Sequence, residues 1–200
     1  LYGRLHTRGY RHYQGLSSDE RKEILINGEK VVELDYSGLH PHLLYALEGI
    51  QLDRDPYNVI DEGSRVVRTF LKHILLCMLN SNDERKAEQA ANYWLYKNHY
   101  ERKILYNWGI TSAKPLITKL KEAHKSIEHH FCNGKDTGLR IMNLDSRIAL
   151  DVVDHFAAQK IPILAIHDSF IVQKKYNEEL WQVMESTYEK HTKEFKCKIK

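Results

Sequence analysis

Two periods of apolar residues organise the chain. Near the start, EILI and VVELDYS are short runs rich in β-branched residues, separated by Asn27-Gly28. Such a pair between apolar runs predicts a two-residue hairpin turn, because both central residues need positive φ. Leu39 to Leu47 is apolar at helical spacing and stops at Gly49, a C-cap signal. Asp55-Pro56 predicts the opening of a short helix with proline in its first turn. Ser64 predicts the cap of a long helix, VVRTFLKHILLCMLN, where Val67, Phe70, Leu71, Ile74, Leu75 and Met78 form one stripe. A polar helix rich in Tyr and Trp is expected to run to about Tyr100, and another from Pro115 to Phe131, followed by a turn at Asn133-Gly134. Asp145 to Gln159 reads as helix. IPILAI-HDS-FIVQ is apolar, polar, apolar, the pattern of a tight hairpin with both arms buried. Glu178 to Lys193 reads as a closing helix and KCKIK as an edge strand. Upstream, Ser17 or Ser18 caps a helix start, and Leu1 to Gly15, with glycines at 3, 9 and 15, reads as irregular. Strands at both ends with helices between predict an α+β fold with an antiparallel sheet.

Composition narrows the classes. A chain of 200 residues with 42% hydrophobic content can bury a core. No apolar run approaches the ~20 residues that cross a bilayer, so no membrane partner is expected. The opening LYGRLHTRGYRHY is basic and aromatic, unlike a signal peptide. It lacks a starting Met, which reads as a fragment or a processed chain. Cys77, Cys132 and Cys197 form no CxxC pair, which argues against a cysteine-built zinc site and for a reducing compartment. The histidines are scattered with no HExxH pattern, and most read as surface or core residues. His129-His130 reads as a solvated pair.

Charge adds a permission rather than a demand. The net charge of +3 and pI of about 8.6 suit a nucleic-acid partner without requiring one. Arg4, Arg8, Arg11, Arg21 and Lys22 stand among Tyr2, Tyr10, His12 and Tyr13. That mixture can hold phosphates and stack bases, or form a solvated terminus. Tyr93, Trp94, Tyr96, Tyr100 and Trp108 could stack bases too, but their helical spacing favours packing roles.

Two aspartates carry the candidate chemistry. Asp35 ends the apolar strand VVEL, and Asp168 sits at the tip of the ILAI/FIVQ hairpin. Carboxylates at the ends of buried strands are costly unless they meet a metal or a positive charge. A pair of them sharing Mg²⁺ ions suits in-line attack on phosphorus. Arg68 and Lys72, four residues apart on the long helix, are cations suited to a triphosphate. Taken singly, each aspartate also fits an ordinary turn residue.

The ordered set resembles the family A DNA polymerases and the related phage-type single-subunit RNA polymerases, over nearly the whole chain. YGRLH is similar to the T-G-R-L-S segment, which implies that Arg4 contacts the primer–template. ELDYSGLHPHLL is similar to motif A, implying Asp35 as the first metal ligand with the Tyr36 carbonyl beside it. VVRTFLKHILLCMLN resembles the fingers helix of motif B, implying Arg68 and Lys72 as triphosphate binders and Lys72 as proton donor to pyrophosphate. IHDSF is similar to motif C, implying His167 near the primer terminus and Asp168 as the second metal ligand. The serine after Asp168 is closer to the RNA polymerase form. What the resemblance implies is a palm with an antiparallel sheet over 1–50 and 136–200, and a reduced, helical fingers-like insertion over 51–135. It implies template-directed nucleotidyl transfer with two Mg²⁺ ions, for which Mn²⁺ can substitute. The partners would be primer–template DNA or RNA and nucleoside triphosphates, in the cytoplasm of a bacterium or a phage-infected host. Phage and mobile-element polymerase-like proteins pair LDYSGLHP with IHDSF in the same way.

Departures from the pattern bear on the substrate. His40 stands where the DNA polymerases have a Glu that helps exclude ribonucleotides. Asn80-Ser81 replaces the Tyr-Gly that ends motif B, so Asn80 cannot stack on a template base as Tyr does. Arg140, Asn143, Ser146 or Arg147 could replace the Gln that reaches the minor groove. No thumb or exonuclease segment is recognisable, so a thumb would come from further domains or partner subunits. The alternatives are an RNA polymerase or primase on the same palm, a catalytically inactive nucleic-acid-binding palm, and a metal-dependent phosphodiesterase.

Overall fold

A computed structural model of the chain describes residues 6, 7, 12–60 and 64–200. The elements in order are α1 (Ser18–Arg21), β1 (Leu25–Ile26), β2 (Glu29–Asp35), α2 (Leu39–Leu47), α3 (Arg65–Asn80), α4 (Glu84–Lys97), α5 (His99–Asn107), α6 (Lys114–Ala123), α7 (Thr137–Ala158), β3 (Leu164–Ile166), β4 (Ser169–Gln173) and α8 (Asn177–Thr192). The fold is α+β with a four-stranded antiparallel sheet in the order β1-β2-β4-β3. The chain divides into two compact units, Leu1–Leu52 with Ile141–Lys200, and Asp53–Arg140. Among the described residues no helix is long and apolar enough to cross a membrane.

The first unit holds the sheet. Asn27 and Gly28 both take positive φ (53° and 77°), the geometry that lets two residues reverse the chain between β1 and β2. Strands β2 and β4 then pair from Val31 opposite Gln173 to Asp35 opposite Ser169. Directly opposed residues share a face, so two sets of side chains result. Leu34, Phe170 and Val172 are buried on one face, which α8 covers with Leu180, Val183, Met184 and Tyr188. The opposite face carries Glu33, Asp35, Ser169 and Ile171. Past β2, the chain pairs with its own C-terminal residues: Tyr36 bridges to Ile199, and the Asp35 and Lys200 backbones exchange hydrogen bonds of 2.9 and 3.0 Å. The expected edge strand thus exists as a short bridge extending the sheet. Helix α2 ends as its glycine predicts. Gly49 has φ 72°, and the Ile50 and Gly49 amides donate back to the Tyr45 and Ala46 carbonyls, both at 3.0 Å.

The second unit is helical and centres on α3. Its stripe of Val67, Phe70, Leu71, Ile74, Leu75 and Met78 is buried, against α4, α5 and α6. Four expected helices differ here. Asp55-Pro56 opens only a turn: the Asp55 carboxylate accepts from the Tyr57 amide at 2.9 Å and its carbonyl from the Asn58 amide at 3.2 Å, and the chain does not continue as a helix. The helix expected to reach Tyr100 breaks at Asn98, whose side chain donates to the Trp94 carbonyl at 2.7 Å and whose backbone is not helical, and α5 restarts at His99. The helix expected to reach Phe131 ends at Ala123. His124 is fully buried and donates from Nε2 to the Pro56 carbonyl at 2.7 Å, after which the chain tightens to a 3₁₀ turn over Lys125–His130. Helix α7 begins eight residues before the expected Asp145, at Thr137. Gly138 in its first turn lies close to Asn80: a Cβ there would lie 2.1 Å from the Asn80 Oδ1, so that exposed side chain would have to move aside.

Candidate metal centre at the strand ends

The period-2 pattern brings Asp35 and Asp168 to one end of the sheet. Asp35 closes β2 opposite Ser169, and Asp168 is the residue before Ser169, in the two-residue turn between β3 and β4. The Tyr36 amide donates to the Asp168 carbonyl at 3.2 Å. In an extended chain the two backbone polar groups of a residue point the same way, so the Tyr36 carbonyl faces the Asp168 side. Both carboxylates act on one neighbour. Burial, and after it Asp168 and Asp35, push the Cys197 thiol up to about 12. His167, the other turn residue, is exposed at φ 57°, a backbone region that costs a non-glycine residue about 1–2 kcal/mol. Its ring meets His6 edge to face, with centroids 6.0 Å apart.

Beneath Asp35 lies a polar network that no sequence motif announces. Arg21 grips Glu33 with two hydrogen bonds of 2.9 Å, and its charge is further favoured by Asp35. Ser169 donates to Glu33 at 2.8 Å. Glu33 is two residues before Asp35, so strand periodicity alone puts both on the same face; that spacing was the available signal. Lys200 reaches Asp35 at 3.4 Å. The Tyr36 ring forms the floor: it is buried, donates its hydroxyl to the Met184 carbonyl at 2.5 Å, and lies 5.9 Å from the Tyr188 ring. Burial raises both phenols well above their ordinary value. His40, in the first turn of α2, meets the buried Asp145 of α7 at 3.3 Å. The donor set of two carboxylates and a backbone carbonyl fits a hard divalent cation, which takes oxygen ligands.

The remaining predicted residues are placed as follows. Arg68 pairs with Asp55 at 2.8 Å and lies 4.9 Å above the Tyr57 ring, while Lys72 is exposed one turn on. Asn80 is exposed at the end of α3, its amide donating to the Leu76 carbonyl at 2.9 Å. On α7, Arg140 and Arg147 are exposed, Asn143 is half-buried, and Ser146 is buried with its hydroxyl donating to the Met142 carbonyl at 2.7 Å. Arg4 lies outside the described residues.

The aromatic residues of α4 and α5 depart from their expected packing roles. Of the five, Trp94 packs as expected, stacked on Phe70 and His73 with centroids 5.4 and 5.2 Å away. Tyr93, Tyr96, Tyr100 and Trp108 are exposed. The inward stripe of α4 is Ala87, Ala91 and Leu95, which leaves the tyrosines to solvent. No protein-family profile and no curated protein sequence matches this chain.

Proposed function

We propose that this chain adds nucleotides to a nucleic-acid 3′ end under template direction, in the manner of a DNA polymerase. One observation carries the reading: Asp35 and Asp168, remote in sequence, lie at the same end of the sheet, where Asp35 stands opposite Ser169 and the Tyr36 amide donates to the Asp168 carbonyl at 3.2 Å. Asp35, Asp168 and the Tyr36 carbonyl are the groups that would hold Mg²⁺ or Mn²⁺. When bound, such ions favour the ionised 3′-hydroxyl and offset the charge of the triphosphate. The chain's own part is positional. Arg21, Glu33 and Ser169 fix the β2–β4 register, and so hold the two carboxylates at a constant separation. His40, braced by Asp145, is a rigid group five residues from Asp35 and is the candidate for sensing the sugar. Lys72, as an exposed ammonium, is the candidate for neutralising triphosphate or protonating the leaving pyrophosphate, whereas Arg68 must first release Asp55.

Primer extension tests the reading. The wild-type chain, with Mg²⁺, is offered ribonucleotides and deoxyribonucleotides separately on DNA and RNA templates. Extension with at least one set, lost on chelation, supports it and assigns the sugar. Absence of incorporation with every set and with Mn²⁺ sinks it in favour of a non-catalytic nucleic-acid-binding palm.

A further inference from the structure

The second unit carries a surface that the catalytic reading does not use. Tyr93, Tyr96 and Tyr100 are 61%, 62% and 73% exposed. Tyr93 and Tyr96, three residues apart, share one face of α4, while Tyr100 lies in the first turn of α5 beyond the break at Asn98. Cations accompany the rings. Lys97 Nζ lies 5.5 Å from the Tyr93 centroid, and the Arg102 guanidinium lies 5.9 Å from the Tyr96 centroid. His99 sits 6.3 Å from Tyr96 and is bonded to Arg102 at 2.8 Å. The contacts of Tyr96 with His99 and Arg102 cross the break at Asn98, so Tyr93, Tyr96, Lys97 and Arg102 form one patch.

Burial does not explain the tyrosines, since the core of α4 is complete without them. Their chemistry points to a partner. Rings that lie largely open to solvent can stack on planar groups, and the cations now lying over them can turn to phosphates spaced along a strand; this pairing recognises single strands whatever their sequence. A bilayer is a poor occupant, because the patch has no aliphatic side chains to insert. A second copy is also poor, because a two-fold contact would bring the same cations face to face. Charge agrees with a polyanion: residues 84–107 hold five Lys and Arg against three Glu, and Glu84 is already paired with Lys121 at 3.0 Å.

We infer that the Tyr93–Tyr96 face of α4, with Arg102 of α5 beside it, binds single-stranded nucleic acid, by base stacking on the rings and by pairing of phosphates with Lys97 and Arg102. The site stands apart from nucleotide addition. A chain that binds single strands through these rings yet adds no nucleotide keeps this inference and loses the catalytic one.

The experiment is fluorescence anisotropy of the whole chain with labelled oligo(dT), oligo(U) and a duplex of equal length, over a range of salt. Tyr93→Ala with Tyr96→Ala should weaken single-strand binding by about tenfold or more. Tyr93→Phe with Tyr96→Phe keeps the stacking face and should bind within about twofold of wild type. Lys97→Ala with Arg102→Ala should flatten the salt dependence by about 0.7 in log–log slope for each phosphate no longer neutralised. All four positions are at least partly exposed, and far-UV circular dichroism checks that each variant folds. The inference is overturned if wild type prefers duplex or binds neither single strand, if the alanine pair binds like wild type, or if the phenylalanine pair fails as badly as the alanine pair. It is equally overturned if the alanine pair alters only self-association in sedimentation.

Discussion

The two units place their polar groups by opposite logic. In the sheet-bearing unit, charged side chains at the strand ends are held by partners: Arg21 on Glu33, Ser169 on Glu33, His40 on Asp145 and Lys200 on Asp35. In the helical unit, tyrosines and cations of α4 and α5 stand outward beside a core that small side chains complete. The contrast teaches where fixed geometry is expected. A braced carboxylate pair suits chemistry that needs atoms at set positions, whereas an exposed aromatic face suits a partner that slides and varies.

Core truncation gives the largest effect on stability. Phe170→Ala in the sheet unit and Phe70→Ala in the helical unit should each cost about 3–5 kcal/mol, since both side chains are fully buried. Hydrogen exchange then reports which amides lose protection. If each variant exposes mainly its own unit, the contrast extends to folding; equal loss throughout in both variants would show one cooperative body and break it.

A smaller change sharpens the bracing argument. Arg21→Ala leaves Glu33 without its guanidinium and should cost about 1–2 kcal/mol, discounted because the pair is partly exposed. It should also slow extension more than it raises the KM for nucleotide, because Arg21 acts through the register of Asp35. Unchanged kinetics beside reduced stability would leave Arg21 a purely structural residue.

The mildest test is pH. Burial lowers both His73 and His124 from their ordinary 6.5. The unfolded chain therefore takes up protons below about 6.5 where the folded helical unit stays neutral, so these groups leave stability unaffected above that pH and reduce it as pH falls. Urea midpoints followed by tryptophan fluorescence should decline from about pH 7.5 towards about pH 5, and the decline should shrink in His124→Asn. A midpoint that rises on acidification contradicts the account.

Much of the sheet unit was legible because a strand has only two faces. Asn27-Gly28 marked the turn, the β-branched runs marked the strands with Asp35 at the end of VVEL, and the apolar arms around His167-Asp168 marked the hairpin. The network under Asp35 was less legible. Arg21 and Ser169 reach Glu33 from other elements, and no local spacing announces such long-range pairs. In the helical unit, apolar periodicity found α3 but misjudged α4. There the tyrosines and the alanines both recur at helical spacing, and that spacing alone drew the tyrosines' packing assignment. Small residues won the inward face because they let α4 approach α3 closely. The breaks at Asn98 and His124 depend on side chain to backbone bonds whose local or distant acceptors the apolar pattern does not record.

The central claim is that Asp35 and Asp168 act as one unit. A double-mutant cycle on metal-dependent extension tests it, with Asp35→Asn, Asp168→Asn and both together. Groups that work jointly lose nearly everything when either is removed, so each single variant should fall by about a thousandfold or more and the double variant little further. A double variant whose loss is the product of two modest, independent losses, or a single variant that extends like wild type, would contradict it.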